Sequence, residues 1–337
     1  NEIEKVKKHL VTARLSDMTS ASLVTEAVSE SGNIKRSVYR TLRETGFSGV
    51  LTTNTSSLTR KSLIESGDYP YEKFSTTHFF NPVLYSQMVE VVRGDINRSN
   101  YATLMSFLSD LGRKPIETKD ISGFVSNSVL MVYALMALRL LEAGATIEAV
   151  DGAAKELRSL PPLFSFDSWK PSIVEDVTRV MWEFRGDDFL RSSTLLAALA
   201  KSNPLFYAGQ KPNEAIYDLI EKRGSGLDPS MLKLALLTSM RVAAVRTVEL
   251  GESPATVDFI STEGLKFPRA PLAEIDDLGA EAVLDDLARV NEAIWEGKMQ
   301  APELLTAMAK KRHSFFKDGK PNPAIEPLIR GSAHARH

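Results

Sequence analysis

Cysteine is absent from the 337 residues. Disulfides, thiolate nucleophiles and cysteine-ligated metals are therefore excluded. The composition fits a reducing compartment, so a cytoplasmic location is expected. Histidine is scarce: His9, His78, His313, His334 and His337 are scattered, with no H-E-x-x-H or related spacing, and no metal site is expected. Neither sign of charge is in excess. With 41 Lys and Arg against 43 Asp and Glu, the net charge of −2 gives no electrostatic reason for nucleic acid or an anionic membrane as partner. No uninterrupted apolar run reaches the length of a membrane span. The stretch 124–143 is long enough, but Asn127, Arg139 and Glu142 interrupt it, so no span is expected there. What remains is 43% hydrophobic and 25% charged, the profile of a soluble globular chain with room for two or three domains.

Taken in order, residues 2–15 place Ile3, Val6, Leu10 and Ala13 at helical spacing. Strand-like runs then cover 22–28, 50–55, 74–80, 88–92 and 114–118. Between them lie helical patterns over 34–45, up to Glu65, and over 99–111 with Asn97 or Ser99 as N-cap. Strands alternating with helices predict a mainly parallel sheet covered on both faces. After Gly123 the texture changes. The run 124–143 is helical and apolar almost all round, and only helical patterning follows. The polar tail 331–337 has no pattern. An internal repeat is visible: Glu142, Gly144, Val150, Asp151 and Pro161 recur as Glu249, Gly251, Val257, Asp258 and Pro268. These signals divide the chain into 1–120, 121–225 and 226–330.

Chemistry concentrates in T-T-H-F-F-N-P-V-L-Y-S-Q-M-V-E-V-V (76–92). His78 and Glu90 sit in two strand-like segments joined by a loop, which can bring them side by side. A carboxylate touching an imidazole fixes its tautomer and raises its basicity, which suits a general acid/base. Glu90 inside M-V-E-V-V needs a partner if it is buried. The alternative is a histidine bonded to backbone, with Glu90 on a wet face. Ser56 reads equally as a helix cap or a site residue, and Asn127 is a polar residue in an apolar helix that asks for a bonded role. From spacing alone, Glu30 and Lys35 read as solvated turn residues.

Four motifs in register, N-T-S-S-L (54–58), H-F-F-N-P (78–82), M-V-E-V-V (88–92) and S-G-F-V-S-N (122–127), resemble the L-3-hydroxyacyl-CoA dehydrogenases of fatty-acid β-oxidation. The resemblance covers about residues 15 to 320, and the repeat resembles the dehydrogenase part of multifunctional β-oxidation proteins. It implies an α/β Rossmann-like NAD-binding domain followed by two all-α helical domains. It implies NAD as cofactor and a 3-hydroxyacyl-CoA substrate. His78 would be the acid/base, Glu90 its orienting carboxylate, and Ser56 and Asn127 hydrogen-bond donors to the reacting oxygen. Glu30 and Lys35 would lie by the ribose and nicotinamide, with Ser56 beside the nicotinamide too, and Asn81 would shape the pocket floor. Fusion to or association with an enoyl-CoA hydratase or thiolase is compatible with it. The second helical copy would occupy the place of a partner chain, so a monomer through that surface is expected.

The resemblance has one large gap. The family's first strand, G-x-G-x-x-G turn and helix have no counterpart here, and the chain opens on Asn1, so that unit is expected to precede it. Two other function classes compete: a non-enzymatic acyl-CoA binder on the same scaffold, and a dehydrogenase for another 3-hydroxy acid.

Overall fold

The computed structural model describes residues 14–84, 86–220, 227–295 and 299–329. The helix expected over 2–15 and the tail 331–337 lie almost wholly outside them. The chain separates into two compact units, Asn1–Asp120 and Ile121–His337. The helical stretches 121–225 and 226–330 thus fall within one unit.

In the first unit, β1 (Leu23–Glu26), β2 (Val50–Asn54), β3 (Phe74–Phe79), β4 (Met88–Val92) and β5 (Lys114–Thr118) form one sheet in sequential order. Every pairing is parallel except β3 with β4. Helices α1 (Gly32–Glu44), α2 (Arg60–Ile64) and α3 (Arg98–Asp110) accompany it. Alternate residues of a strand face opposite sides. Val89 and Val91 of β4 accordingly pack with Leu104 and Leu108 of α3. Leu51 and Phe74 pack with Tyr39 and Leu42 of α1 and Leu63 and Ile64 of α2. Asn97 caps α3 by accepting from the Asn100 amide at 2.8 Å. At α2 the cap is Thr59, which accepts from the Ser62 amide; Ser56 does not serve.

The second unit is built twice. The first copy comprises α4 (Phe124–Glu142), α5 (Ile147–Glu156), α6 (Pro162–Trp169), α7 (Pro171–Arg185) and α8 (Thr194–Ser202), then a hairpin of β6 (Tyr207–Ala208) and β7 (Lys211–Pro212). The second comprises α9 (Pro229–Glu249), α10 (Pro254–Phe259), α11 (Pro271–Leu278), α12 (Ala280–Val290) and α13 (Glu303–Lys311), then β8 (Phe316–Lys317) with β9 (Lys320–Pro321). The two hairpins correct the expectation of helix alone, since strands of two residues leave no periodicity to read.

The repeat extends to individual hydrogen bonds. Asp151 accepts from the amides of Leu163 and Phe164, and Asp258 from those of Leu272 and Ala273, so each carboxylate caps the following helix. Asp167 holds the amides of Phe206 and Tyr207 as Asp276 holds those of Phe315 and Phe316. Arg139 donates to the Arg191 carbonyl and Arg246 to that of Gln300. The register slips by two residues between Asp258 and Leu272. A π-helical turn at Ile260–Gly264, absent from α5, takes up one extra residue. The helix-opening prolines that correspond are therefore Pro162 and Pro271. The expected pairing of Pro161 with Pro268 is out of register.

Helix α4 is long and apolar enough to cross a membrane, yet 83% of its most apolar window is buried inside the protein. Its chief neighbour is α9, its own counterpart. An all-round apolar helix is what such a central position requires.

Candidate active site

His78 and Glu90 are direct register partners in the β3–β4 ladder. The antiparallel pairing places both side chains on one face, opposite the face that carries Val89 and Val91. His78 Nδ1 lies 2.9 Å from Glu90 Oε2. Glu90 is fully buried and His78 is 7% exposed, so the bond is shielded from water. The reading with Glu90 on a wet face is thereby ruled out. With Nδ1–H donated to the carboxylate, Nε2 carries the lone pair that can accept a proton. The ring also leans on Phe80, with centroids 5.7 Å apart.

Glu30 and Ser56 form a second cluster. They follow the carboxyl ends of the parallel strands β1 and β2, the edge where open α/β sheets bind ligands. One oxygen of Glu30 accepts from Thr55 Oγ1, from the amides of Ser56 at 2.8 Å and Ser57 at 3.0 Å, and from Ser57 Oγ at 2.9 Å. Burial opposes its charge, but the Thr55 hydroxyl, the Lys35 ammonium and the two serines outweigh that and hold the carboxyl below its usual range. Glu30 thereby fixes the turn that carries Ser56.

Lys35 departs from the solvated reading altogether. It lies on the buried stripe of α1 with Tyr39 and Leu42 and has no exposed surface. Its ammonium donates to Glu26 at 3.0 Å and to the Asn54 carbonyl at 2.8 Å, and stands 3.7 Å from Glu30 Oε2. Glu26, missed in the sequence, also accepts from the Val28 amide, the Tyr39 hydroxyl and Thr53 Oγ1. Burial and the Glu26 charge push the Tyr39 phenol far above its usual range, so it stays a donor. The available signal was the spacing 35, 39, 42, which sets a lysine on an apolar helix face.

Asn81 is exposed at the exit from β3. Asn127 belongs to the helical unit, in the first turn of α4, and is 8% exposed. Among the described residues no cluster of three or more His, Asp or Glu could hold a metal ion.

Residues 2–121 match the 3-hydroxyacyl-CoA dehydrogenase NAD binding domain, and residues 123–219 the C-terminal domain of the same family. The fatty acid oxidation complex subunit alpha of Shewanella loihica is 28% identical over 327 residues, which is 90% of this chain and 46% of that protein. The probable 3-hydroxybutyryl-CoA dehydrogenase of Deinococcus radiodurans is 32% identical over 211 residues, 61% of this chain and 74% of that one. The crystal structure of 3-hydroxybutyryl-CoA dehydrogenase from Escherichia coli K12 superposes with a TM-score of 0.70 over 91% of this chain and 85% of that chain; at 18% identity the likeness is one of fold. A parallel-dominant sheet on a chain with these matches defines the class as a Rossmann-like, NAD-binding protein. Within that class, the chain belongs to the 3-hydroxyacyl-CoA dehydrogenase family. It spans less than half the length of the alpha subunit it matches.

Proposed function

We propose that the chain oxidises L-3-hydroxyacyl-CoA to 3-oxoacyl-CoA with NAD, as part of a fatty-acid oxidation protein. The observation that carries this reading is the buried bond between His78 and Glu90. His78 Nε2 takes the proton of the 3-hydroxyl, and Glu90 orients the ring and stabilises the imidazolium that forms. Ser56 and Asn127 donate to the reacting oxygen without adding a competing charge. Glu30 serves the cofactor edge directly. Lys35 serves it indirectly, because its ammonium is engaged inside the protein. The polar groups after β1 and β2, with a side chain of Glu30 that keeps 28% of its surface, fit a dinucleotide at that edge. When bound, NAD supplies the acceptor for the hydride leaving C3.

The test is NADH formation from the two enantiomers of 3-hydroxybutyryl-CoA. Turnover is expected with the L form and none with the D form; preference for D, or oxidation of neither, would overturn the reading. Association with an enoyl-CoA hydratase or thiolase belongs to the same proposal, since relatives carry the name of a fatty acid oxidation complex. So does the duplicated helical domain standing in for a second chain, because α9 already covers α4. Gel filtration of the purified chain should give a monomer. A dimer abolished by deleting residues 228–300 would count against that.

A further inference from the structure

The approach to α4 is left-handed twice in succession: Gly123 has φ +82° and Phe124 φ +55°. The second value is costly for a bulky residue, and such a conformation persists only where its surroundings hold it. The surroundings are two residues one turn apart on α7. A side chain at position 123 would meet Met181 Sδ at 2.6 Å, so α7 packs directly on the kink. One turn on, Arg185 Nη2 donates to the Ser122 carbonyl before the kink and, at 2.6 Å, to Ser128 Oγ after it. The Ser128 hydroxyl in turn donates to the Phe124 carbonyl. One guanidinium thus brackets the residues 122–128, and Asn127 is among them.

The second helical copy offers an internal comparison. Its register equivalents of Asn127, Ser128 and Arg185 are Leu234, Ala235 and Ile294. Its first helix opens regularly, with Pro229 at the first turn and Asp228 accepting from the Ser230 amide. The shared scaffold of Asp151, Asp167 and Arg139 is kept in both copies, whereas the bracket and the left-handed approach occur in the copy that carries Asn127. A requirement of the helical fold itself would have no reason to differ in this way.

We infer that Arg185 is a positioning residue, which sets the substrate-contacting amide of Asn127 by clamping the kinked start of α4. The inference rests on the proposed role of Asn127. Both bonds leave one nitrogen, Nη2, whose two N–H groups serve the two oxygens, so a lysine ammonium that reaches the same place can serve them as well. The charge of Arg185 persists at neutral pH: burial lowers its pKa, Asp187 acts against that, and the value stays at about 10.

The test is a double-mutant cycle read by calorimetric binding of acetoacetyl-CoA to the whole chain, with no cofactor present. Arg185→Gln should weaken binding about tenfold in the wild-type background and less than about twofold in an Asn127→Ala background. Arg185→Lys, whose single nitrogen carries three donors, should retain affinity to within about threefold. Should Arg185→Gln fail to fold, Ser128→Ala removes one arm of the bracket and should weaken binding about threefold, again only while Asn127 is present. Unchanged affinity in folded Arg185→Gln, or equal losses in both backgrounds, would overturn the inference. An Asn127→Ala protein that binds as tightly as wild type would instead remove the reading of Asn127 on which it depends.

Discussion

His78→Ala is expected to lose at least about a hundredfold in the rate of NADH formation from 3-hydroxybutyryl-CoA, the usual scale for a general base. The reason lies in what surrounds the ring. Glu90 is fully buried and bonded to Nδ1, so the imidazole is held in one tautomer with the other nitrogen basic. No other described histidine lies in the first unit. Glu90→Gln should also be slow, by at least about tenfold, because an amide can present its NH₂ to the ring and invert the tautomer. Since the two residues act as a unit, the double variant should lose no more than His78→Ala alone. Initial rates at saturating substrate decide the matter. A His78→Ala enzyme within a factor of two of wild type would remove this histidine from the chemistry.

Glu26→Ala is expected to cost about 3–5 kcal/mol of stability, the range seen when one member of a buried ion pair is deleted. Four groups donate to this carboxylate: the Val28 amide, Lys35, Tyr39 and Thr53. Its loss leaves the Lys35 ammonium, which has no exposed surface, with only the Asn54 carbonyl and a carboxylate 3.7 Å away. Urea unfolding of the first unit, followed by tryptophan-free probes such as far-ultraviolet circular dichroism, measures the change. Glu26→Met combined with Lys35→Met should recover more than half of the loss, because an apolar pair of similar volume removes the stranded charge. A single-variant loss below about 1 kcal/mol would mean that water reaches the ammonium after all.

These expectations could be only partly formed without coordinates, and the reasons differ from residue to residue. The strands Met88–Val92 and Lys114–Thr118 were legible residue for residue, because short apolar runs bounded by turns have few other uses. The cap was legible as Asn97 or Ser99, both side chains with an acceptor role, and it is Asn97 that takes it. The pairing of His78 with Glu90 could be suspected from the connecting loop, but only the ladder register makes them opposite neighbours. Lys35 was misjudged because charge was weighed ahead of its place on the buried stripe of α1. Arg185 was invisible, since its partners Ser122 and Ser128 lie far away in sequence and carry no charge. The repeat was readable at its glycine and aspartate positions, and was misaligned at the prolines because a two-residue slip, one residue of it in a π turn, leaves no compositional trace.

The single reversal of direction in the sheet has a consequence for how such a chain can diverge. Because His78 and Glu90 meet through the ladder, their mutual geometry is set there, and from the connector between β3 and β4 it is Phe80, against the His78 ring, that bears on it. Leu84 in that connector is 88% exposed. Substitutions at Leu84 leave the proton-transfer pair where it is, whereas a slip of one position between the two strands would turn Glu90 to the opposite side of the sheet. The exposed end of the connector is thus open ground for evolutionary tinkering, while Phe80 and the neighbouring hydrogen-bond ladder are not.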